Sequence, residues 1–473
     1  MQTSQQQHRQ AMSTAASPIA RERPPKGARR SKPNSSRLNA ASGELDATRQ
    51  RLPLPVILLL VSLQIPWIIN LGALRLTPYR LVLLILVPLL LVRWARGGAG
   101  KVRLTDFALF GLCVWCTLAI LVIHGLGETI EPAGIYFIET MGGFLVARCY
   151  IRDEHAFFQM AKLLFIITLV LLPFAMHETF TGGKVLLQTL QLVMPTYEMI
   201  AMPQRWGLDR AQVNYIHPIH FGLNIGCTLT LAWMVVGYGK PLIKRLVAAG
   251  LVFFTSFLSL SSGPLSSMVG QIGLMGWGGV LQRFPLKWSL MAAGGITLFV
   301  LTELFANRSM AVILLSMFAF DADSAYIRTL TWEYGTQSIM NNPLFGVGFN
   351  MWDKPAWLTE SIDMHWIIDA VRHGIPAGVL TFLALGSALW TIGRVSLTDD
   401  KLRTFRAAYM FTIAGFFMTG WAVYFWESTY VLFTFLLGSG FWLLDREEEP
   451  LRKRFKARPN QADRIAERRR SRA

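Results

Sequence analysis

Charge is scarce in this chain. Of its 473 residues only 16% are Asp, Glu, Lys or Arg while 52% are hydrophobic, a balance outside the range of ordinary soluble domains. Acids are the scarcer kind, 29 against 46 basic residues. Cysteine is nearly missing, and Cys113, Cys116, Cys149 and Cys227 all fall inside or at the edge of apolar runs. That excludes a disulfide scaffold. The C-x2-C of Cys113 and Cys116 has no second pair to complete a zinc site. These cysteines read as small apolar side chains in packed helices. Zinc spacing, an RNP-like string and a recognition helix are also lacking, so no nucleic-acid partner is expected despite the basic charge. No internal repeat or soluble domain is evident. About fifty polar residues precede the first apolar run, which is the wrong arrangement for a signal peptide.

What the chain has in abundance is apolar runs. A hydropathy reading gives about twelve, many near the roughly 20 residues a bilayer requires. They cover 53–71, 78–92, 104–123, 133–150, 157–176, 213–236, 246–262, 264–281, 287–305, 374–393, 405–424 and 428–444. The fourth is interrupted by Glu139 and Gly142-Gly143, and Ser261-Ser262-Gly263-Pro264 breaks the seventh from the eighth. The expected fold is therefore all-α: a polytopic membrane protein with a large loop between the ninth and tenth spans.

The net charge of +17 is unevenly spread. Residues 1–51 hold ten Lys or Arg against three acids, and residues 445–473 hold eleven against six. Such tails suit cytoplasmic anchors near anionic lipid, and the first has the composition of a disordered segment. With the N-terminus inside, every short loop on that face is basic. Examples are Arg93 to Arg103, Arg148 and Arg152, Lys240 to Arg245, and Arg394 to Arg406. The domain reading is a tail at 1–51, a membrane domain at 52–444 and a tail at 445–473, with both termini cytoplasmic. Two long loops, about 177–212 and about 306–373, then lie outside.

Polar chemistry collects in those two loops. The first holds Arg205-Trp206-Gly207-Leu208-Asp209-Arg210, then Tyr215, His217-Pro218 and His220. The second holds Arg328, Trp332, Glu333, Asn342-Pro343-Leu344-Phe345-Gly346-Val347-Gly348-Phe349, Asp363 and His365. Arg205, Arg210, Arg308, Arg328 and Arg372 run against the charge bias of that face. Arg308 and Arg372 suit lipid phosphates at the interface. Guanidinium grips phosphate through a planar fork and stays charged, while a carboxylate or imidazole supplies a base. Arginines with a base at an outer surface suit transfer of a group from a lipid-linked phosphate donor. No metal or cofactor is expected, so arginine would neutralise the leaving phosphate. Gly346 and Gly348 fit turn geometry better than a phosphate cradle. Glu333, a turn beyond Arg328, is placed to pair with it. His217 and His220 fit interfacial hydrogen bonding, and Trp352, Trp357 and Trp366 an interfacial belt.

The order Arg210, His217-Pro218, Arg328, Trp332, the Pro343 to Phe349 turn, an Asp/His element and Gly374-Ile375-Pro376-Ala377-Gly378 resembles the O-antigen ligase and polysaccharide polymerase superfamily. The resemblance covers roughly 53–444 and is specific in 205–226 and 328–380. It implies about twelve spans with a large periplasmic loop, in the bacterial inner membrane. It also implies metal-independent transfer of glycans from undecaprenyl pyrophosphate. The acceptor would be lipid A core for ligases, or another lipid-linked repeat unit for polymerases. On that resemblance Arg210 matches the arginine eight residues before the Pro that opens a span, and Arg328 the arginine four before Trp. Arg205 is a second choice. Asp363 stands at the position of an Asp or His eleven residues before the next Gly, with Met364 where Asn is usual, and His365 two residues on. The base is Asp363 or His365, with a lean to His365 because its intrinsic pKa is near neutral; Glu333 is next in line. Where relatives often carry Ser-Arg-Gly, this chain has Ser261-Ser262-Gly263. That departure argues against a lipid A core ligase.

The leading expectation is a polymerase of undecaprenyl-pyrophosphate-linked repeat units making exopolysaccharide or O-antigen. Its partners would be the lipid-linked donor, an acceptor glycan, the bilayer, and a chain-length regulator and flippase. A ligase is the alternative within the fold. A polysaccharide flippase, the alternative of another class, would put ionisable groups inside its spans, and here the spans are nearly uncharged apart from Glu139 and Lys162 near their edges. The orientation predicts that Leu190→Cys and Trp357→Cys react with an impermeant thiol reagent in intact spheroplasts. Labelling of either only after permeabilisation overturns the topology.

Overall fold

Runs of Leu, Val and Ile form helices wherever Pro, Gly or a polar cluster does not intervene, and the computed structural model of this protein is mostly helical. It describes residues 51–445 apart from 73, 285, 308–309, 311–312 and 314–321. The two basic tails, but for Arg51 and Asp445, lie outside the described residues, as do Arg308 and part of the second long loop. In chain order the helices are α1 (Leu54–Ser62), α2 (Pro78–Ala95), α3 (Leu104–His124), α4 (Leu126–Phe137), α5 (Gly143–Tyr150), α6 (Glu154–Thr181), α7 (Val185–Gln191) and α8 (Pro218–Gly226). Then follow α9 (Leu242–Phe257), α10 (Ser262–Val280), α11 (Lys287–Phe305), α12 (Ala322–Asn341), α13 (His365–His373), α14 (Ile375–Gly393), α15 (Asp400–Gly420) and α16 (Ser428–Gly438). A π-helical turn, Ile138–Gly142, joins α4 to α5, and another, Leu231–Val236, follows α8. Strands β1 (Ile69–Leu71) and β2 (Leu74–Leu76) pair antiparallel, Ile69 opposite Leu76.

Among the described residues, seven segments are long and apolar enough to cross a membrane: α2, α3, α6, Pro218–Val236, α11, α14 and Ser428–Asp445. Their outward faces are greasy. Ile85, Leu89, Phe107 and Ile296 are each more than 60% exposed, an apolar surface that a soluble protein would not leave to water. The other five apolar runs fold differently, for local reasons. The first makes the nine residues of α1 and then turns into β1. The fourth is broken by the π turn at Glu139. The helix α9 has 16 residues and opens with Lys244 and Arg245 in its first turn. Gly and Ser dilute α10, and α15 starts on Asp400, Lys401 and Arg403.

The core gathers where α5 meets α16. Gly143 lies against Thr434 and Val431, and Gly438 against the Phe144 backbone, where any larger side chain would collide; small residues let backbones approach this closely. At the end of the molecule that carries the basic loops, α3 and α5 are joined by a buried ion pair. Arg148 Nη2 lies 3.2 Å from Asp106 Oδ2, with side chains 2% and 0% exposed. The pair is fully dressed: Asp106 also accepts from Trp94 Nε1 and the Arg103 amide. Arg148 donates to the Lys101 carbonyl and lies over the Phe441 ring.

Removing one half of such a pair strands the other in a dry site, at a cost of about 3–5 kcal/mol. Arg148→Ala should therefore lower the thermal midpoint of detergent-solubilised protein sharply. Arg403→Ala breaks a pair with Asp400 whose side chains are more than half exposed, and should cost no more than about 1 kcal/mol. Equal midpoints for the two variants would contradict this ranking.

Candidate functional site

The turn between α9 and α10 organises the polar face. Residues 259–261 leave the helical path, and Leu260 adopts φ +46°, a left-handed conformation that non-glycine residues rarely take. The last carbonyls of α9 are closed by the turn's own amides, Ser256 O by Ser259 and Phe257 O by Leu260, and guanidinium groups meet the carbonyls of the turn itself. Arg205 Nη1 donates to Leu260 O at 2.6 Å. Arg210 donates to Ser259 O at 3.4 Å and to Ser261 Oγ at 2.9 Å. Arg328, arriving on α12, donates to Ser262 Oγ at 3.4 Å. All three arginines singled out from the sequence thus converge on four consecutive residues. Ser262 also opens α10, whose N-terminal amides add positive potential at the same place.

The loop bearing Arg205 and Arg210 is fixed from both sides. The Asp209 amide donates to Thr179 O at the end of α6, and the Ala211 amide to Leu258 O. Arg210 is buried, Arg205 half-buried, and Trp206 stacks on Phe257. Beside Arg210, a polar cavity of about 190 Å³ contains Glu178, Lys184 and Asp209. Lys184 bridges Glu178 and Gln212.

The Pro343 to Phe349 turn docks on the junction of α13 and α14 through backbone bonds. The Val347 and Gly348 amides donate to Val371 O and Arg372 O, and Ile375 donates to Pro343 O. Gly346 and Gly374, at φ +71° and +84°, face each other's strands so closely that a Cβ on either would enter backbone. This turn is scaffolding. Trp352 is buried, its indole donating to Glu360 O, whereas Trp357 is exposed.

The structure separates Asp363 from His365. Asp363 is exposed and accepts from Ser361 Oγ. His365, the first residue of α13, is 2% exposed and boxed by Trp366, Tyr424, Phe425, Tyr430 and Phe433. Neither of its ring nitrogens has a hydrogen-bond partner among the described residues. Burial pushes its pKa down to about 3, so its imidazole is neutral at ordinary pH. Glu333 is exposed on α12, a turn past Arg328.

A second cavity, of about 480 Å³, opens behind the 360–362 stretch. Its walls include Arg80, Glu139, Arg372, Tyr424, Trp426 and Glu427. Arg80 Nε lies 2.7 Å from Glu139 Oε1, which also accepts from Tyr79. Glu427 has φ +47° and ψ −118°, a conformation costing a non-glycine residue about 1–3 kcal/mol. The two polar centres are neighbours through two histidines. Arg210 helps, after burial, to push the His217 pKa down to about 4. The His217 ring meets His220, which stacks on Trp426.

Sequence reading passed over this cavity. Glu139 registered only as a flaw in an apolar run, and Glu427, an acid inside a Tyr-Phe-Trp string at the mouth of the last one, was a readable signal. It also passed over Asp321-Ala322-Asp323, a D-x-D string; Asp323 is exposed at the start of α12, and Asp321 lies outside the described residues. Among the described residues no three His, Cys, Asp or Glu side chains gather as a metal site. Neither a family model nor a curated protein matches this chain.

His365 sets a pH dependence. Its pKa is near 6.5 in an unfolded chain and about 3 here. Between those values the unfolded state takes up a proton that the folded state refuses, so stability falls as pH falls below 6.5, by up to about 1.4 kcal/mol per pH unit. His217 and His373, each lowered to about 4 mainly by burial, act in the same direction. The thermal midpoint should therefore drop between pH 7 and pH 5, and His365→Phe, which fits the aromatic box, should shallow the drop. An unchanged slope in that variant would mean that His365 is not buried neutral.

Proposed function

We propose that this protein is a membrane glycosyltransferase that polymerises undecaprenyl-pyrophosphate-linked oligosaccharide repeat units into exopolysaccharide or O-antigen. The observation that carries the reading is the convergence of Arg205, Arg210 and Arg328 on the Ser259–Ser262 turn. Three guanidinium groups and a helix N-terminus at one spot make a receptor for a pyrophosphate. In this reading the chain is a multi-pass protein of the bacterial inner membrane with both termini cytoplasmic. The arginine cluster faces the periplasm, where lipid-linked repeat units and the acceptor glycan are presented. A chain-length regulator and a flippase are its functional partners.

The chemistry asked of the arginines is neutralisation of the leaving group. As the bond between the anomeric carbon and the pyrophosphate oxygen breaks, negative charge grows on that oxygen, and fixed cations in a water-poor site favour that state. Arg328 bears on the comparison with ligases. Its guanidinium stands at the hydroxyl of Ser262, the position at which relatives often carry arginine, so the charge is delivered from α12. An acceptor site that differs from the lipid A core ligases follows naturally, which favours the polymerase over the ligase.

Arg210→Lys and Arg328→Lys keep the charge but lose the fork. Each should reduce long-chain polysaccharide by about 10²-fold at normal protein level, read on gels from a host lacking its own copy of the gene. Full product from both removes the arginines from the mechanism. Chelators should leave product formation by membranes unchanged; inhibition reversed by Mg²⁺ would bring the Asp321-Ala322-Asp323 string into the reaction and point to another enzyme class.

A further inference from the structure

We infer that the cavity behind the 360–362 stretch receives the acceptor sugar, and that Glu427 is the base that takes its hydroxyl proton. This rests on the glycosyl-transfer reading above and adds to it a site and a catalytic residue. The cavity's volume of about 480 Å³ lies within the roughly 300–1,000 Å³ of small-molecule sites. Its walls combine Tyr424 and Trp426 with Glu360, Glu427 and Arg372. Aromatic faces for a sugar ring and charged groups for its hydroxyls are what a glycan needs, and what an acyl chain would avoid.

Of the other acids at this cavity, Glu360 is exposed to water, where a carboxylate keeps its ordinary hydration, and Glu139 is committed. Glu139 is tied to Arg80 and Tyr79 through Oε1. Asp363 accepts from Ser361 beside the cavity and is exposed to water, and His365 is walled off behind Tyr424 and Phe425. Glu427 differs in its backbone and in its unused capping position. It is the N-cap residue of α16, a place where an acid ordinarily bonds the first-turn amides, yet its side chain makes no capping bond. Its carboxylate atom Oε2 is buried and has no hydrogen-bond partner among the described residues. The backbone holding it is left-handed. Tyr197 hydrogen-bonds the carboxylate, and Glu427 lines the cavity; a strained backbone that brings a carboxylate with one unpartnered oxygen to a cavity wall is an arrangement that folding alone does not explain. The cavity meets the arginine cluster through His220 and His217, so donor and acceptor would lie side by side.

The step balances without a further reactant. The acceptor hydroxyl oxygen attacks the anomeric carbon of the donor glycan and forms the new glycosidic bond. The bond from that carbon to the pyrophosphate oxygen breaks, and its electron pair leaves with undecaprenyl pyrophosphate against the arginines. The hydroxyl proton passes to the Glu427 carboxylate and then to water.

The test compares Glu427→Gln, Glu427→Gly, Asp363→Asn and Arg210→Lys in two readouts. One is long-chain polysaccharide from a host lacking its own copy, and the other is binding of undecaprenyl pyrophosphate to purified protein in nanodiscs. Both Glu427 variants should lose polysaccharide by about 10²-fold or more and bind undecaprenyl pyrophosphate within twofold of wild type. Glycine accepts φ +47° without strain, so Glu427→Gly should melt no lower than wild type. Asp363→Asn should keep most of its product. More than a tenth of wild-type product from either Glu427 variant overturns the inference, as does loss of undecaprenyl pyrophosphate binding. Unfolding of Glu427→Gly also overturns it, because the carboxylate would then be a structural pin. Failure of the underlying reading looks different: wild-type protein would not bind undecaprenyl pyrophosphate, and Arg210→Lys would make full product.

Discussion

Guanidinium groups holding one tight turn between two helices are the interaction on which the polar half of this molecule depends. When α9 stops at Phe257, the amides of Ser259 and Leu260 close its last carbonyls, and the carbonyls of Ser259 and Leu260 in the turn itself are left for other donors. Arg205 and Arg210 meet those carbonyls, and Arg328 meets the hydroxyl that begins α10. Through those bonds a loop from before α8 and a helix from after α11 are held to a single turn. Backbone groups in an apolar setting must be paired, and here the pairing also concentrates positive charge. Structural necessity and ligand chemistry call for the same residues at this turn.

Buried ion pairs show the same economy at other places. Asp106 and Arg148 bind α3 to α5, and Arg80 with Glu139 fixes the π turn against α2. In each, a neighbouring indole, phenol or carbonyl takes up the remaining hydrogen-bonding capacity, which is the condition under which a buried charge is tolerable. The π turn has a further effect: its extra residue swings Glu139 toward Arg80 and so toward the larger cavity, an inward bulge that π-turns often provide at functional sites.

Legibility in the sequence followed the range of the interaction. Helices set by uninterrupted apolar runs could be read nearly to their ends: α11 matches the expected 287–305, and α14 the expected 374–393 within a residue. Runs governed by a breaker inside them could not. Residues 53–71 look like one span by mean hydropathy, but Ile65-Pro66 ends α1 and the chain turns into β1. Arg205, Arg210 and Arg328 were readable because their sign opposed the local charge bias. That they share one turn was not, since Arg328 lies 66 positions from Ser262. For Asp363 and His365 the two-residue spacing carried no information on burial. The start of α13 falls between them, which sends one side chain to water and the other into a ring of aromatics. Glu427 escaped notice because its meaning lies in its backbone conformation and its unused capping position, neither of which composition reveals.

The helix α11 has no buried residue along its 19 positions. It is tied down near its first turn, where Lys287 bonds the Gly278 and Trp277 region and Trp288 meets Phe411, and beyond that it presents side chains outward all round. A surface that fits no particular neighbour constrains only hydrophobicity and length. Over evolutionary time this stretch is free to drift among Leu, Ile, Val, Phe and Met, while α16, almost wholly enclosed, is not. Divergent sequences sharing this architecture would keep identity in the turn, the cavity and the enclosed helices, and would look unrelated along α11.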